Sequence, residues 1–160
     1  MGVRSDYTTD YIDGFYDGYE AMSNAVVTRA AFDYREYCTR MMEIESELDA
    51  FAPFEFELTG YPDLETVARE VYEGEDKLKE NMRYLKRVLK HGDQENKALM
   101  DEVYRLKRWT RRKMRLLKEY DDLSYEVDGI EEFFKGDDIT LFTDLNGAKI
   151  LKRLKEELAA

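Results

Sequence analysis

The chain has 160 residues, of which 38% are charged and 43% apolar, with twelve tyrosines, eight phenylalanines and a net charge of −11. That composition excludes an intrinsically disordered chain and supplies one domain, residues 1–160, with enough apolar material for a core. A single cysteine, Cys38, excludes an internal disulfide framework, and no apolar run approaches the ~18 residues of a membrane span.

The expectation is a soluble cytoplasmic protein without membrane contact. The charge is unevenly spread. Residues 1–76 carry 19 acids and 5 bases, residues 77–118 carry 5 acids and 15 bases, and residues 119–160 carry 12 acids and 5 bases. A basic block lies between two acidic ones, which is a pattern for oriented association rather than for catalysis.

Taken in chain order, apolar residues from about Thr9 to Phe51 recur at steps of three and four, beginning Ile12, Phe15, Tyr19, Met22, Val26 and Ala30. The spacing predicts a helix whose phase slips near Arg29–Asp33, where a bend or a change of partner is expected. Its start, DYIDGFYDGYE, holds two Asp-Gly pairs. Asp-Gly is a hairpin signal, yet on a helical wheel Gly14, Gly18, Ala21 and Ala25 form a narrow seam suited to close packing. Asp10, Asp13, Asp17 and Glu20 share a neighbouring face roughly 80° wide.

The stretch FAPFEFELTGYPD then breaks the helical pattern, with Phe54, Phe56 and Leu58 alternating like a short strand. From Leu64 to Leu89 the apolar residues run 4-3-4-3-4-3-4 with Glu75 as the one charged position, a coiled-coil period. KHGD ends that helix, with Gly92 suited to a left-handed cap and Asp93 to the next N-cap. A helix from about Gln94 to Val127 follows, with Leu99, Val103, Leu106, Met114 and Leu117 on its core line. So short a connection predicts an antiparallel hairpin. After Gly129 the sequence reads as loop, in which ITLF is a candidate partner for FEFEL in a two-stranded ribbon. A last helix is expected over Asp144–Leu158. The predicted class is all-α: three long amphipathic helices and a short C-terminal one.

Two constellations carry function. The acids Asp10, Asp13, Asp17 and Glu20, with Gly14, Gly18 and Tyr19 between them, form an acidic, tyrosine-rich row. Such a row suits a protein partner with a basic surface, in the manner of the inhibitors or adaptors of phages and mobile elements that mimic DNA. It lacks the loop spacing of a calcium site, so no metal is expected. The second is RLKRWTRRKMRLLK, residues 105–118, with eight bases in fourteen positions. Arg105, Arg108, Arg111, Arg112 and Arg115 lie away from the core line with Trp109 at their edge, an arrangement for phosphate contacts and base stacking. The bland reading is that these bases neutralise the chain's own acids.

One histidine, His91, excludes multi-histidine metal sites, and no glycine-rich phosphate motif or nucleophile elbow occurs. The sequence therefore predicts a non-enzymatic, cofactor-free binding protein. The leading expectation is an inhibitor or adaptor acting through the acidic row. Nucleic-acid binding through 105–118 is the alternative, and head-to-tail assembly of a structural homo-oligomer is a third.

Overall fold

A computed structural model describes residues 14–160, with side chains from Asn24 onward. The class is all-α. The helices are α1 (Gly14–Asp49), α2 (Pro62–Glu73), α3 (Leu78–His91), α4 (Lys97–Lys135) and α5 (Gly147–Ala159), with a 3-10 turn at Asp138–Leu141. Only two are long, α1 with 36 residues and α4 with 39. No strand forms among the described residues: Phe54 and Phe56 lie in irregular chain, and Ile139–Leu141 of ITLF lie in the 3-10 turn.

By internal contacts the chain divides into two compact units, one of residues up to 43 with 121–160 and one of residues 44–120. This is a finer division than the single domain expected from length.

In the first unit, α1 is unbroken through the expected phase slip. Arg29 and Asp33, one turn apart, pair with each other at 3.1 Å on the surface, so the charges need no bend to be accommodated. The buried core joins Tyr34 of α1, Val127 and Phe134 of α4, Ile139 of the 3-10 turn, and Leu151 and Leu154 of α5. Helix α4 continues past Gly129 to Lys135, because Ile130, Phe133 and Phe134 keep supplying apolar surface to this core and outweigh one glycine's cost of about 1 kcal/mol.

Asn146 caps α5 by accepting from the Lys149 amide. The helix therefore begins later than expected and leaves Leu145 exposed. At Gly147 a side chain would drive into the Phe134 carbonyl, so glycine is required there by close approach.

In the second unit, the predicted continuous helix over 64–89 is two helices. Gly74 is extended (φ −162°, ψ −171°) and ends α2, and the chain resumes at Leu78. The apolar line outlives the break: Leu64, Val67, Ala68 and Val71 of α2 pack with Leu78 and Leu85 of α3 and Val103 and Leu106 of α4.

Gly92 is not left-handed; its φ of −78° and ψ of −173° are extended. Asp93 makes a local turn by accepting from the Glu95 amide, while Asn96 caps α4 by accepting from the Leu99 amide. Asparagine at this position satisfies one of the four orphan amides of the first turn.

Candidate functional site

The acidic row gives little to build on. Asp10 and Asp13 lie outside the described residues. Gly14, Asp17, Gly18, Tyr19 and Glu20 occupy the first two turns of α1, so their backbone is helical and not a hairpin, with side chains outside the described set. Further along the proposed seam, Ala25 is exposed.

The basic block is described throughout, and α4 sorts it into two edges. At 100° per residue, Arg105, Trp109 and Lys113 follow each other at steps of four along one edge. All three are committed to the fold. Glu102, only 2% exposed, accepts from the Glu57 and Leu58 amides at 2.7 and 2.8 Å and from the Arg105 guanidinium. Arg105 also donates to the Glu55 carbonyl at 3.0 Å and lies 4.8 Å over the Phe54 ring. The Trp109 indole N–H donates to the Ala52 carbonyl at 3.0 Å, and its ring stacks on Phe51 at 5.0 Å.

Lys113 donates to the carbonyls of Val71, Tyr72 and Gly74 at 2.6, 3.3 and 3.1 Å, which closes the C-terminus of α2. Burial holds the Lys113 ammonium below the usual lysine range, with Glu75 pulling the other way. A cation on the last carbonyls of a helix complements its dipole.

Across the outer face between the two edges Arg112, Arg108 and Arg115 are exposed, and at the far edge Arg111 and Lys107 are half-buried. None of the five forms an ion pair with any described residue. Arg108 lies 5.2 Å over the Tyr104 ring, and Tyr104 itself is 51% exposed. Lys107 is held below the usual lysine range first by desolvation, then by the positive charges of Arg111 and of Lys86 on α3. Lys86 belongs to a stripe of α3 (Lys79, Arg83, Lys86, Lys90) that is exposed opposite the buried Leu78, Met82 and Leu85. Positive charges of α3 and α4 thus act on one another at Lys107.

Self-neutralisation, expected from the charge totals, holds for Arg105 and for Lys77, which meets Glu70 at 3.4 Å. The outer edge of α4 stays uncompensated. Trp109, expected to offer its ring at the rim of the basic face, has the indole N–H and one face occupied. The exposed aromatic among the cations is Tyr104, which the sequence reading passed over. Its signal was available: Tyr104 stands one turn before Arg108 and off the Val103–Leu106 core line. Lys86 and Lys107 were also missed as a pair, because they are 21 positions apart and meet only through helix packing.

Between the irregular segment 50–55 and α4 lies an open cleft of about 490 Å³, lined on the helix side by Arg105, Arg108, Trp109 and Arg112. Among the described residues no cluster of His, Cys, Asp and Glu could hold a metal ion, and no helix is long and apolar enough to cross a membrane. His91 is exposed. Cys38 is half-buried, and desolvation raises its thiol pKa, an environment that disfavours the reactive thiolate. No family model, curated protein or solved structure matches this chain.

Proposed function

We propose that this chain is a non-enzymatic binding protein whose recognition face is the cationic surface of α3 and α4, and that its partner is a nucleic acid held by the phosphate backbone. The observation that carries the reading is the run of cations Lys107, Arg108, Arg111, Arg112 and Arg115 on α4, none of which pairs with an acid among the described residues, with the positive charges of Arg111 and Lys86 both acting on Lys107. Like charges at close range disfavour one another, and an arrangement kept at that cost suits an anionic partner that relieves it. Taking α3 and α4 as the antiparallel, coiled-coil-like pair that the short Gly92–Asn96 connection implies, Lys86 would align with Lys107 and Arg111 as two parallel rows of cations. Arg108, Arg112 and Arg115 widen the surface, and Arg suits bidentate phosphate contact. Tyr104 adds an exposed ring among them.

The overall charge of −11 does not decide against this. Residues 44–120 carry 17 acids and 16 bases, so the unit bearing the face is nearly neutral. At physiological salt, charges more than about 8 Å away are largely screened, which leaves the local cations to set the contact.

The test is a gel shift or heparin retention against salt. With Lys86, Lys107, Arg108, Arg111, Arg112 and Arg115 engaged, the log–log salt slope should reach about −4 to −5, and Lys107→Glu/Arg111→Glu should lower it by about two. Absence of binding at low salt overturns the reading, as does binding indifferent to the double reversal. The acidic row remains a separate proposal, tested by Asp13→Lys/Asp17→Lys: loss of a captured basic protein partner with helicity intact would carry it, and unchanged capture would end it.

A further inference from the structure

The cleft beside Trp109 differs from the open cationic face in having an apolar wall. Phe51, Pro53, Phe54 and Trp109 line it, and the rings pack on one another: Phe51 stacks on Trp109 at 5.0 Å, and Phe54 meets Trp109 edge-on at 5.5 Å and Phe56 at 4.8 Å. Arg105 is already held by Glu102 and Glu55 and acts as part of this wall. Arg108 and Arg112 are different. They stand one turn apart on α4, reach the same cleft, and have no acid partner among the described residues. Two guanidinium groups at this spacing can share one phosphate.

A volume of about 490 Å³ is within the range of small-ligand sites and accommodates one nucleotide rather than a stacked pair. Glu55 is the acid on the lining, and it limits how tightly an anion is held.

We infer that this cleft receives one unpaired nucleotide, its phosphate between Arg108 and Arg112 and its base against the Pro53–Trp109 wall, so that the chain prefers single-stranded to duplex nucleic acid. The inference rests on the cationic-face reading and adds the strand preference to it. In a duplex the base faces are hidden in the stack and cannot reach such a wall, whereas an unpaired base presents a flat π-face at no unstacking cost. Arg108 and Arg112 join the cleft to the open face, so a strand crossing α4 would run from one to the other.

Trp109 is the only tryptophan in the chain, which makes the cleft its own reporter. The full chain is titrated with a short thymidine oligonucleotide and with a hairpin duplex of equal charge, following tryptophan fluorescence together with a gel shift. The single strand should quench the emission and bind about tenfold more tightly than the duplex, the difference that one stacked base supplies. The exposed, irregular position of Pro53 allows Pro53→Glu without disturbing the core. That variant should abolish the quench and lower single-strand affinity by more than it lowers duplex affinity, so that the preference for the single strand is lost. Glu55→Gln should tighten single-strand binding. Equal binding of both forms without a quench would overturn the cleft while the cationic face stands. Binding of neither form would overturn both.

Discussion

The two edges of α4 carry similar residues and do opposite work. Arg105, Trp109 and Lys113 on one edge donate to the chain itself: to a buried carboxylate, loop carbonyls and the end of α2. Among the described residues, Lys107, Arg108, Arg111, Arg112 and Arg115 pair with no acid: Lys107 feels the positive charges of Arg111 and Lys86, and Arg108 lies over the ring of Tyr104. The two lysines make the contrast sharpest. Both are held below the usual lysine range with desolvation as the first cause, but Lys113 is compensated by three carbonyls and Lys107 is flanked by further cations. A shifted pKa therefore does not distinguish a lysine compensated by the fold from one left among like charges. The identity of its neighbours does.

The largest effect expected from this comparison is at the inner edge. Glu102→Ala removes the acceptor for two loop amides and the partner of Arg105, and loss of one member of a buried charged pair costs about 3–5 kcal/mol. Chemical denaturation should show it, and a loss under ~1 kcal/mol would mean that the 52–58 segment is not held by this carboxylate. Lys113→Met should cost about 1–3 kcal/mol by leaving the carbonyls at the end of α2 without their donor.

The outer edge should behave in the opposite sense. Arg108→Glu/Arg112→Glu should change stability by no more than about 0.5 kcal/mol, as surface substitutions do, while abolishing the nucleic-acid shift. A large loss of stability instead would place these arginines with the inner set.

Lys107→Met is the smallest and most discriminating change. Removing a cation from among like charges should stabilise the chain by roughly 0.2–0.5 kcal/mol. The pH dependence follows with a definite sign. The folded chain holds Lys107 below its ordinary range, so across that interval the unfolded chain binds more protons and stability rises with pH. The Met variant should lose its share of that rise, as urea titrations at successive alkaline pH values would show. A Lys107→Met variant that is less stable than the parent, like Lys113→Met, would erase the distinction between the edges.

Much of this was legible in the residues themselves. The 3.6 period announced α1, the first half of α4 was visible through Leu106, Met114 and Leu117, and the line from Leu64 to Leu89 marked true core positions. The break at Gly74 inside that line was less legible, because the apolar spacing is blind to a turn that returns the chain to the same core. Its signals were Gly74 and the charged Glu75 on the line, and the donor that satisfies the freed carbonyls is Lys113, 39 positions beyond Gly74 in sequence. The extension of α4 past Gly129 was hidden for the converse reason: a local helix breaker was outvoted by packing of Ile130, Phe133 and Phe134 against residues of α1 and α5.

What the sequence determined by itself is the class and the charge layout: amphipathic periods force helices, and a block of 15 bases between acidic blocks is present however the chain folds. What only the tertiary structure decided is which of those bases are spent. Arg105 and Arg108 are three positions apart and chemically identical, and the wheel alone gives both a place away from the core. The 52–58 segment comes down on one side of α4 and α3 on the other. Glu102 and the loop carbonyls then neutralise the first edge, while the second meets Lys86. Charge compensation depends on distances between residues remote in the chain, and that is information a linear pattern does not contain.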